Sequence, residues 1–231
     1  MFAALGDPKT APFVNSKVKK FIALAPIVYM THITSKFFVR LAKDNLLIDF
    51  AKDFGIDEWL PGACSTSSAQ SEFESAVCRI EPIFCDWMIS IADFNPKYDN
   101  EKRMPIFVEH SPSGTSLRTL IHYKQLILEK NKAAPKFLKY DFGDRENEKI
   151  YGQKTPPEYD LTNINIPVRG FVGLDDELGD PTDNAFLSAI MQQMGKNYKQ
   201  YTYNNCGHMT FMWALNATPI FNDILNEIAS P

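Results

Sequence analysis

The sequence predicts an α/β protein. Two short apolar runs, residues 20–26 and 166–172, do not alternate between apolar and polar side chains, which is typical of strands buried on both faces. The last third of the chain then follows the order strand, acidic loop, helix, strand, loop, helix. This alternation indicates a parallel sheet with covering helices.

The front of the chain is predicted to hold two helical regions separated by loops. Residues 35–55 carry apolar side chains at near-helical spacing, which predicts an amphipathic helix. Residues 73–94 show similar spacing, which is broken at Pro82. The segments 61–72 and 95–105 are rich in small or polar residues and are predicted to be loops.

The second half of the chain is predicted to contain three further helices and the third strand. Residues 116–130 combine leucine and isoleucine with basic side chains and are predicted to be helical, as are residues 184–193 and 219–229. Residues 198–203 alternate and predict a strand. The charged, proline-containing segment 131–160 is predicted to lie on the surface as a loop or hairpin.

Length and composition exclude several classes of protein. The 231 residues correspond to one large domain, or to one domain with a sizeable insertion. The formal net charge of −4 provides no basic field for a phosphate backbone, so nucleic-acid binding is disfavoured. The best apolar run, residues 21–30, is interrupted by Pro26 and is too short to span a bilayer. The first residues lack the pattern of a signal peptide.

The cysteines and histidines do not predict a metal site. The four cysteines form no C-x-x-C pair, which argues against a zinc ribbon or a thioredoxin-type motif. Cys78 and Cys85 form a bridge or are two small buried apolar residues, and the sequence leaves both readings open. His32, His110 and His122 lack H-E-x-x-H spacing and are expected to be surface or helix-packing residues.

Two polar residues follow predicted strands, where parallel sheets place their functional groups. They are an Asp at 175 or 176 and His208. An Asp after one strand and a His after the next have the order found in a Ser-Asp-His triad. There the His accepts the Ser proton and returns it to the leaving group, while the Asp orients the imidazole and stabilises its cation. The alternative is an acidic turn of solvated carboxylates and a His that caps a helix.

Several segments match, in order, the motifs of one known family. They are Phe21–Pro26, Phe54–Pro61 (F-G-x-x-E-F-L-P), His110–Ser116 (H-x-P-x-G-T-S), Tyr140–Gly143, Pro156–Tyr159, Gly173–Asp183 (G-G-x-D-x-L-A-D-P-x-D) and Gly207–Trp213 (N-H-L-D-F-I-W). With these motifs the chain resembles the acid lipase family, the gastric and lysosomal ester hydrolases of the α/β-hydrolase superfamily. The resemblance extends over almost the whole chain and is more specific than any single motif.

The resemblance implies an α/β-hydrolase fold that is represented by the C-terminal portion of its parallel sheet, with an inserted helical cap or lid. Residues 1–28 and 161–231 would form the core, with the equivalents of strands six to eight. Residues 29–160 would form the cap over an apolar acyl pocket.

The resemblance also assigns roles to the two candidate residues. Asp176 would be the triad acid, with Asp175 as the alternative that the sequence leaves open, and His208 would be the general acid/base. The family hydrolyses fatty-acyl esters, which are triacylglycerols or sterol esters. No metal or organic cofactor is implied.

The nucleophile is the main departure from the family. In the family, the strand that resembles residues 20–26 follows an elbow of sequence G-H-S-x-G, and this sequence contains no G-x-S-x-G. Ser111 mimics an elbow, but Pro112 follows it and has no backbone N–H to offer an oxyanion. A smaller departure is Thr210, which stands where the family motif has an Asp two residues after the His.

Two functions remain open. In the first, the chain belongs to a lipase whose nucleophile half is missing from these residues, which alone are then expected to be nearly inactive. A separate N-terminal half that supplies the nucleophile is a possible partner. The alternative is a catalytically inactive remnant that binds lipid or a partner. An acyl-ester lipid is the expected ligand, with transient contact to a lipid surface. The family is secreted or lysosomal, but no export signal is recognised, so the compartment is not predicted.

Overall fold

The computed structural model describes residues 1–44, 58–59, 98–103, 106–107 and 115–230. Within these ranges the strands are β1 (Phe21–Leu24), β2 (Glu58–Trp59), β3 (Thr115–Ser116), β4 (Val168–Gly173) and β5 (Tyr198–Tyr203). The helices are α1 (Phe2–Gly6), α2 (Ala11–Lys17), α3 (Lys36–Lys43), α4 (Leu117–Ile127), α5 (Asp144–Tyr151), α6 (Pro181–Gln193), α7 (Thr210–Trp213) and α8 (Thr218–Ala229). Single 3₁₀ turns occur at Glu101–Arg103 and Leu161–Asn163.

The sheet that positions the candidate site is parallel throughout. Its strands have the order β1–β4–β5, and the register places Phe21 opposite Val168 and Val168 opposite Tyr198. The carboxyl ends of all three strands therefore lie at the same edge. The parallel sheet and its three strands are confirmed. A separate two-residue antiparallel pair joins β2 to β3.

Helices cover both faces of the central strand β4. On one face, Leu5 of α1 and Leu187 of α6 pack in a cluster with Val168, and on the other, Phe211 of α7 packs with Phe171. Five of the six residues of β4 are buried, which explains why this strand shows no apolar–polar alternation. Each such fully buried large apolar side chain contributes about 1.5–3 kcal/mol relative to exposure.

Two predicted segments differ from the structure. The helix predicted for residues 35–55 ends at Lys43, because Asp44 has an extended backbone. The segment 131–160, for which the sequence predicts a surface loop or hairpin, contains α5. The buried side chain of α5 is Asn147, whose amide donates to Asp141 Oδ1 and to the carbonyl of Lys154. A polar buried face produces no apolar periodicity, so the pattern could not reveal this helix.

The remaining helices agree with the sequence more closely. Helix α4 and helix α8 lie within about a turn of their predicted limits, whereas α6 begins at Pro181, three residues earlier than predicted. Its start is set by Asp180, whose Oδ1 accepts the backbone N–H of Thr182 at 2.7 Å, with Pro181 in the first helical position. The short helix α7 lies where a loop was predicted.

Some predictions fall outside the described residues. They include the loop 61–72, the helical region 73–94, the pair Cys78 and Cys85, and Ser111. The division into core and cap also stays a prediction.

None of the helices in the described ranges is long and apolar enough to cross a bilayer.

Candidate active site

Asp176 lies in the loop that follows β4, at the carboxyl edge of the sheet. Its side chain is buried, and the residue is 2% exposed. Oδ1 accepts the backbone N–H groups of Leu178 at 2.8 Å and Gly179 at 2.7 Å. These two bonds fix the orientation of the carboxylate and leave Oδ2 available for a second partner.

That second partner is His208, in the loop that follows β5. Its Nδ1 lies 3.0 Å from Asp176 Oδ2. When the neutral imidazole donates its proton from Nδ1, the lone pair lies on Nε2, which is the arrangement required of a general base. The structure thus brings together two residues that are 32 positions apart in the sequence.

The neighbouring Asp175 has a different environment. It is half-buried, and its backbone N–H donates to the carbonyl of Cys206 at 3.0 Å. This bond joins the loop after β4 directly to the loop that carries His208. The hydrogen bond to the imidazole is made by Asp176, while Asp175 contributes its backbone to the alignment of the two loops.

Two glycines allow these loops to approach each other. A Cβ at Gly173 would lie 2.1 Å from the carbonyl oxygen of Cys206. A Cβ at Gly179 would lie 2.8 Å from Oδ2 of Asp176 and 3.3 Å from the carbonyl oxygens of Ala25 and Pro26. Both positions therefore exclude a side chain because the space is taken by the site itself.

The loop after β4 is also attached to the segment that follows β1. The carbonyl of Glu177 accepts the backbone N–H groups of Thr34 and Ser35, each at 3.2 Å. Burial raises the pKa of the Glu177 carboxyl; Lys36 opposes this rise, and the charge of Asp176 adds to it. Backbone hydrogen bonds thus join the loop that carries Asp176 both to the loop of His208 and to the segment that follows β1.

A second Asp–His pair lies close to the same edge and was not predicted. His32 Nδ1 is 2.7 Å from Asp183 Oδ1, and the same carboxylate accepts the hydroxyl of Thr31 at 3.0 Å and the backbone N–H of His32 at 2.9 Å. Asp183 is buried in the first turn of α6. Through these hydrogen bonds, the Asp183 carboxylate connects the segment that follows β1 to α6. The sequence held no local signal for a contact between residues 151 positions apart.

A cavity of about 710 Å³ adjoins the imidazole of His208. One wall is apolar and consists of residues 1–3 and 21–27. The lining also includes the α4 side chains Arg118 and His122. The volume and the largely apolar lining are typical of small-molecule sites.

The polar wall of this cavity is held by local contacts. The guanidinium of Arg118 lies over the ring of Tyr140 at 5.9 Å, and His122 Nε2 lies 2.8 Å from the carbonyl oxygen of Leu138. Burial raises the pKa of Tyr140 and Tyr159, so their hydroxyls stay protonated. Across the described ranges, no group of three or more His, Cys, Asp or Glu side chains is arranged to hold a metal ion.

Comparisons with known proteins identify relatives that align with almost the whole chain. No protein-family model matches the chain. Lipase lipl-1 of Caenorhabditis elegans is 34% identical over 99% of this chain and 56% of its own length. Gastric triacylglycerol lipase of Rattus norvegicus is 30% identical over 95% of this chain and 53% of its own length, and the Homo sapiens enzyme of the same name is 27% identical with the same coverage.

Among solved structures, a soluble variant of the monoglyceride lipase of Saccharomyces cerevisiae matches with a TM-score of 0.42 and 13% identity, over 98% of this chain and 55% of that one. The chain spans about half the length of the curated relatives named above.

The parallel sheet, the helices on both of its faces and the lipase relatives together define the class. The fold is that of an α/β-hydrolase, represented by part of its sheet. Within that class the resemblance to the acid lipases is confirmed, because named gastric lipases align with almost the entire chain. The chain is thus related to the acid lipases over nearly its whole length.

Proposed function

We propose that this chain supplies the acid and the base of a Ser-Asp-His ester hydrolase that acts on fatty-acyl esters, either triacylglycerols or sterol esters. The observation that carries the proposal is the 3.0 Å contact between Asp176 Oδ2 and His208 Nδ1, at the edge of a largely apolar cavity. The relatives named as triacylglycerol lipases support the substrate class.

In the proposed reaction, His208 accepts the proton of a serine hydroxyl as the hydroxyl oxygen attacks the ester carbonyl. It then donates that proton to the leaving alkoxide. Asp176 keeps the imidazole oriented through Nδ1 and stabilises the imidazolium that forms. In the second half-reaction a water takes the place of the serine hydroxyl, and the acyl group leaves as a fatty acid.

The serine is proposed to come from a segment outside the 231 residues, since they contain no G-x-S-x-G. Two features support a place for that segment. Within the described residues, one edge of β1 pairs with β4, and no strand pairs with the other edge of β1. The residues of β1 also line the cavity that His208 adjoins. A strand docked beside β1 and parallel to it would bring its carboxyl end to the edge where Asp176 and His208 lie.

The division of the chain is part of the same proposal. Residues 1–28 and 161–231 act as the hydrolase core, and residues 29–160 act as a cap over the acyl chain. Residues of α4 line the cavity together with β1, and because α4 belongs to this segment they support its role as a cap.

The alternative function is binding without turnover. One observation favours it: Phe221, Leu225 and Ile228 are exposed and lie on one face of α8, at spacings of four and three residues. A face of this kind suits contact with lipid or with another protein. This function predicts binding of acyl lipid by the chain with no hydrolysis under any condition of the assay below.

The test measures hydrolysis of a p-nitrophenyl acyl ester by the chain alone and by the chain fused to the part of rat gastric triacylglycerol lipase that it does not match. The chain alone is expected to remain near background, and the fusion is expected to hydrolyse the ester. Asp176→Asn in the fusion should reduce kcat by about 10⁴-fold, as expected when the imidazole loses its orienting acid. His208→Ala should reduce it at least as far.

Two substitutions serve as matched controls. Asp175→Asn changes the neighbouring carboxyl, and His32→Ala breaks the other Asp–His pair, which does not line the cavity. The fusion with either substitution should keep most of its esterase activity at a temperature where the protein is folded. Activity that survives His208→Ala would refute the role of the base. If the chain alone hydrolyses the ester, and if His208→Ala abolishes that hydrolysis, the proposal that the serine comes from another segment is refuted.

A further inference from the structure

Arg118 brings a permanent positive charge to the cavity beside His208. It is an exposed residue in the first turn of α4 and is one of the residues that line the cavity. Among the described residues, its guanidinium forms no ion pair with a carboxylate. The described residues of the lining also include no Asp and no Glu. The lining therefore offers this charge no counter-ion.

Two aromatic rings hold the guanidinium of Arg118. Its central carbon lies 5.9 Å from the ring centroid of Tyr140 and 5.7 Å from that of Phe142, and the two rings are 4.6 Å apart. An arginine that lies over aromatic faces keeps the N–H donors at the edge of the guanidinium available. These donors form a planar fork that matches the two oxygens of a carboxylate.

The carboxylate between these two aromatic residues in the sequence is used elsewhere. Oδ1 of Asp141 accepts the backbone N–H of Gly143 at 2.8 Å and the side-chain amide of Asn147 at 2.6 Å, so it stabilises the start of α5. The charge of Arg118 nevertheless acts on the cavity. Burial raises the pKa of the cavity-lining Tyr140, Arg118 opposes this rise, and Asp141 adds to it.

The strand β1 supplies an apolar surface to the same cavity. All four of its residues line the cavity, and Phe21, Ile22 and Leu24 are only half-buried. Phe2 of α1 and Leu126 of α4 extend this surface. Covering it with a hydrocarbon chain is favourable, because apolar area of both the protein and the chain is removed from water. The cavity thus combines one cationic group with a continuous apolar lining.

We propose that this cavity binds a fatty acid as its anion, with the carboxylate on Arg118 and the hydrocarbon chain along β1. The choice of ligand rests on the proposed function, because a fatty acid is the product that ester hydrolysis releases. An uncharged ester would leave the guanidinium without a counter-ion, whereas the acid supplies one negative charge and one apolar chain. Arg118 is thus a product-binding residue, separate from the pair of Asp176 and His208.

The test is isothermal titration calorimetry on the full 231-residue chain at pH 8, where the carboxyl of a fatty acid is ionised. Decanoate, used as monomers, is expected to bind about 15-fold more tightly than octanoate, which is about fourfold for each buried methylene. Decanol has the same chain without the charge and should bind about fivefold more weakly than decanoate. In a parallel NMR titration with decanoate, the Nε–H signal of Arg118 should shift.

Two variants and one matched control identify the anion site. Arg118→Gln should weaken decanoate binding about fivefold, a modest factor because the guanidinium is exposed and screened, and should change decanol binding less than twofold. Arg118→Lys keeps the charge without the planar fork and should fall between the two. Arg145→Gln removes an exposed arginine of α5 that does not line the cavity and should leave both affinities unchanged.

The proposal is overturned if Arg118→Gln binds decanoate within twofold of the unmodified chain, or if Arg145→Gln weakens it equally. It is also overturned if decanol binds as tightly as decanoate, or if acetate does, since acetate would show only a contact between a carboxylate and the surface. An absence of decanoate binding has the same meaning. These measurements involve no hydrolysis, so they can fail while the fusion remains active, and an inactive fusion leaves the measured binding site in place.

Discussion

Glu227 attaches α8 to the sheet through a buried ionic cluster. Its Oε2 accepts the guanidinium Nε of Arg169 at 2.6 Å, and its Oε1 accepts the hydroxyl of Tyr201 at 2.6 Å and the ammonium of Lys199 at 3.1 Å. Burial alone would raise the pKa of Glu227, but the hydrogen bonds from these three residues lower it to about 2. The ionised carboxylate is therefore the form that holds the helix in place.

Replacing this carboxylate with an amide, Glu227→Gln, leaves Arg169 in place without its counter-ion. Removing one partner of a fully buried ion pair costs about 3–5 kcal/mol, and the lower end applies here because Lys199 is 56% exposed and regains water. We therefore expect a loss of about 3 kcal/mol in the free energy of unfolding at pH 7. For a chain of this length that corresponds to a melting temperature lower by roughly 6–12 °C.

The loss should depend on pH in a defined direction. The pKa of Glu227 is about 2 in the folded chain and ordinarily 4.5, so its stabilising contribution is complete above pH 4.5 and declines as pH falls toward 2. The difference between the unmodified chain and Glu227→Gln should fall to about half by pH 3. Urea unfolding at pH 7 and pH 3, followed by tryptophan fluorescence, measures both values.

The matched control is Glu146→Gln, which removes an exposed carboxylate from its pair with Lys149. It should change the free energy of unfolding by less than about 0.5 kcal/mol at either pH. Equal losses for Glu227→Gln at pH 7 and pH 3 would refute the reasoning from ionisation. A loss below about 1 kcal/mol at pH 7 would refute the claim that this cluster secures α8.

Three further substitutions test the site and its support. Gly179→Ala should lower the free energy of unfolding by about 1–3 kcal/mol, because the new Cβ would lie 2.8 Å from Asp176 Oδ2. The same contact should shift the NMR signal of the His208 Nδ1 proton. Thermal melting measures the first effect and NMR the second, and an unchanged NMR signal would contradict the close packing of Gly179 against Asp176. Asp183→Asn should increase the rate of proteolysis within residues 25–35, because the carboxylate that accepts hydrogen bonds from His32 is lost. A cleavage rate equal to that of the unmodified chain would contradict this role of Asp183. Phe171→Ala should cost about 3–5 kcal/mol in urea unfolding, and a cost below about 1 kcal/mol would show that the core cluster is not tightly packed.

The parts of the fold that the sequence predicted are those with continuous local patterns. The non-alternating run that became β4 is buried on both faces, and that burial is what removes the alternation, whereas three of the four residues of β1 are only half-buried. The pair of Asp176 and His208 could be anticipated because parallel strands end at one edge, so that residues following two neighbouring strands must come close.

The parts that the sequence did not predict depend on polar contacts between distant segments. Helix α5 buries Asn147 rather than an apolar stripe. The bond between His32 and Asp183 and the backbone pairing of Asp99 with Ala214 arise from the packing of loops, which leaves no periodic trace. Helix α3 ends at Lys43 even though apolar residues continue beyond it, which shows that spacing alone does not set a helix end.

The Asp–His pair is assembled by contacts that do not involve a nucleophile. Two hydrogen bonds from its own loop orient Asp176, and the bond from the Asp175 backbone to Cys206 aligns that loop with the loop of His208. The pair should therefore form whether or not a serine is present. Consequently, an inactive chain whose His208 shows a sharp Nδ1 proton signal indicates a missing nucleophile. An inactive chain without that signal indicates that the acid and base have lost their alignment, and only in the first case should supplying a serine restore hydrolysis.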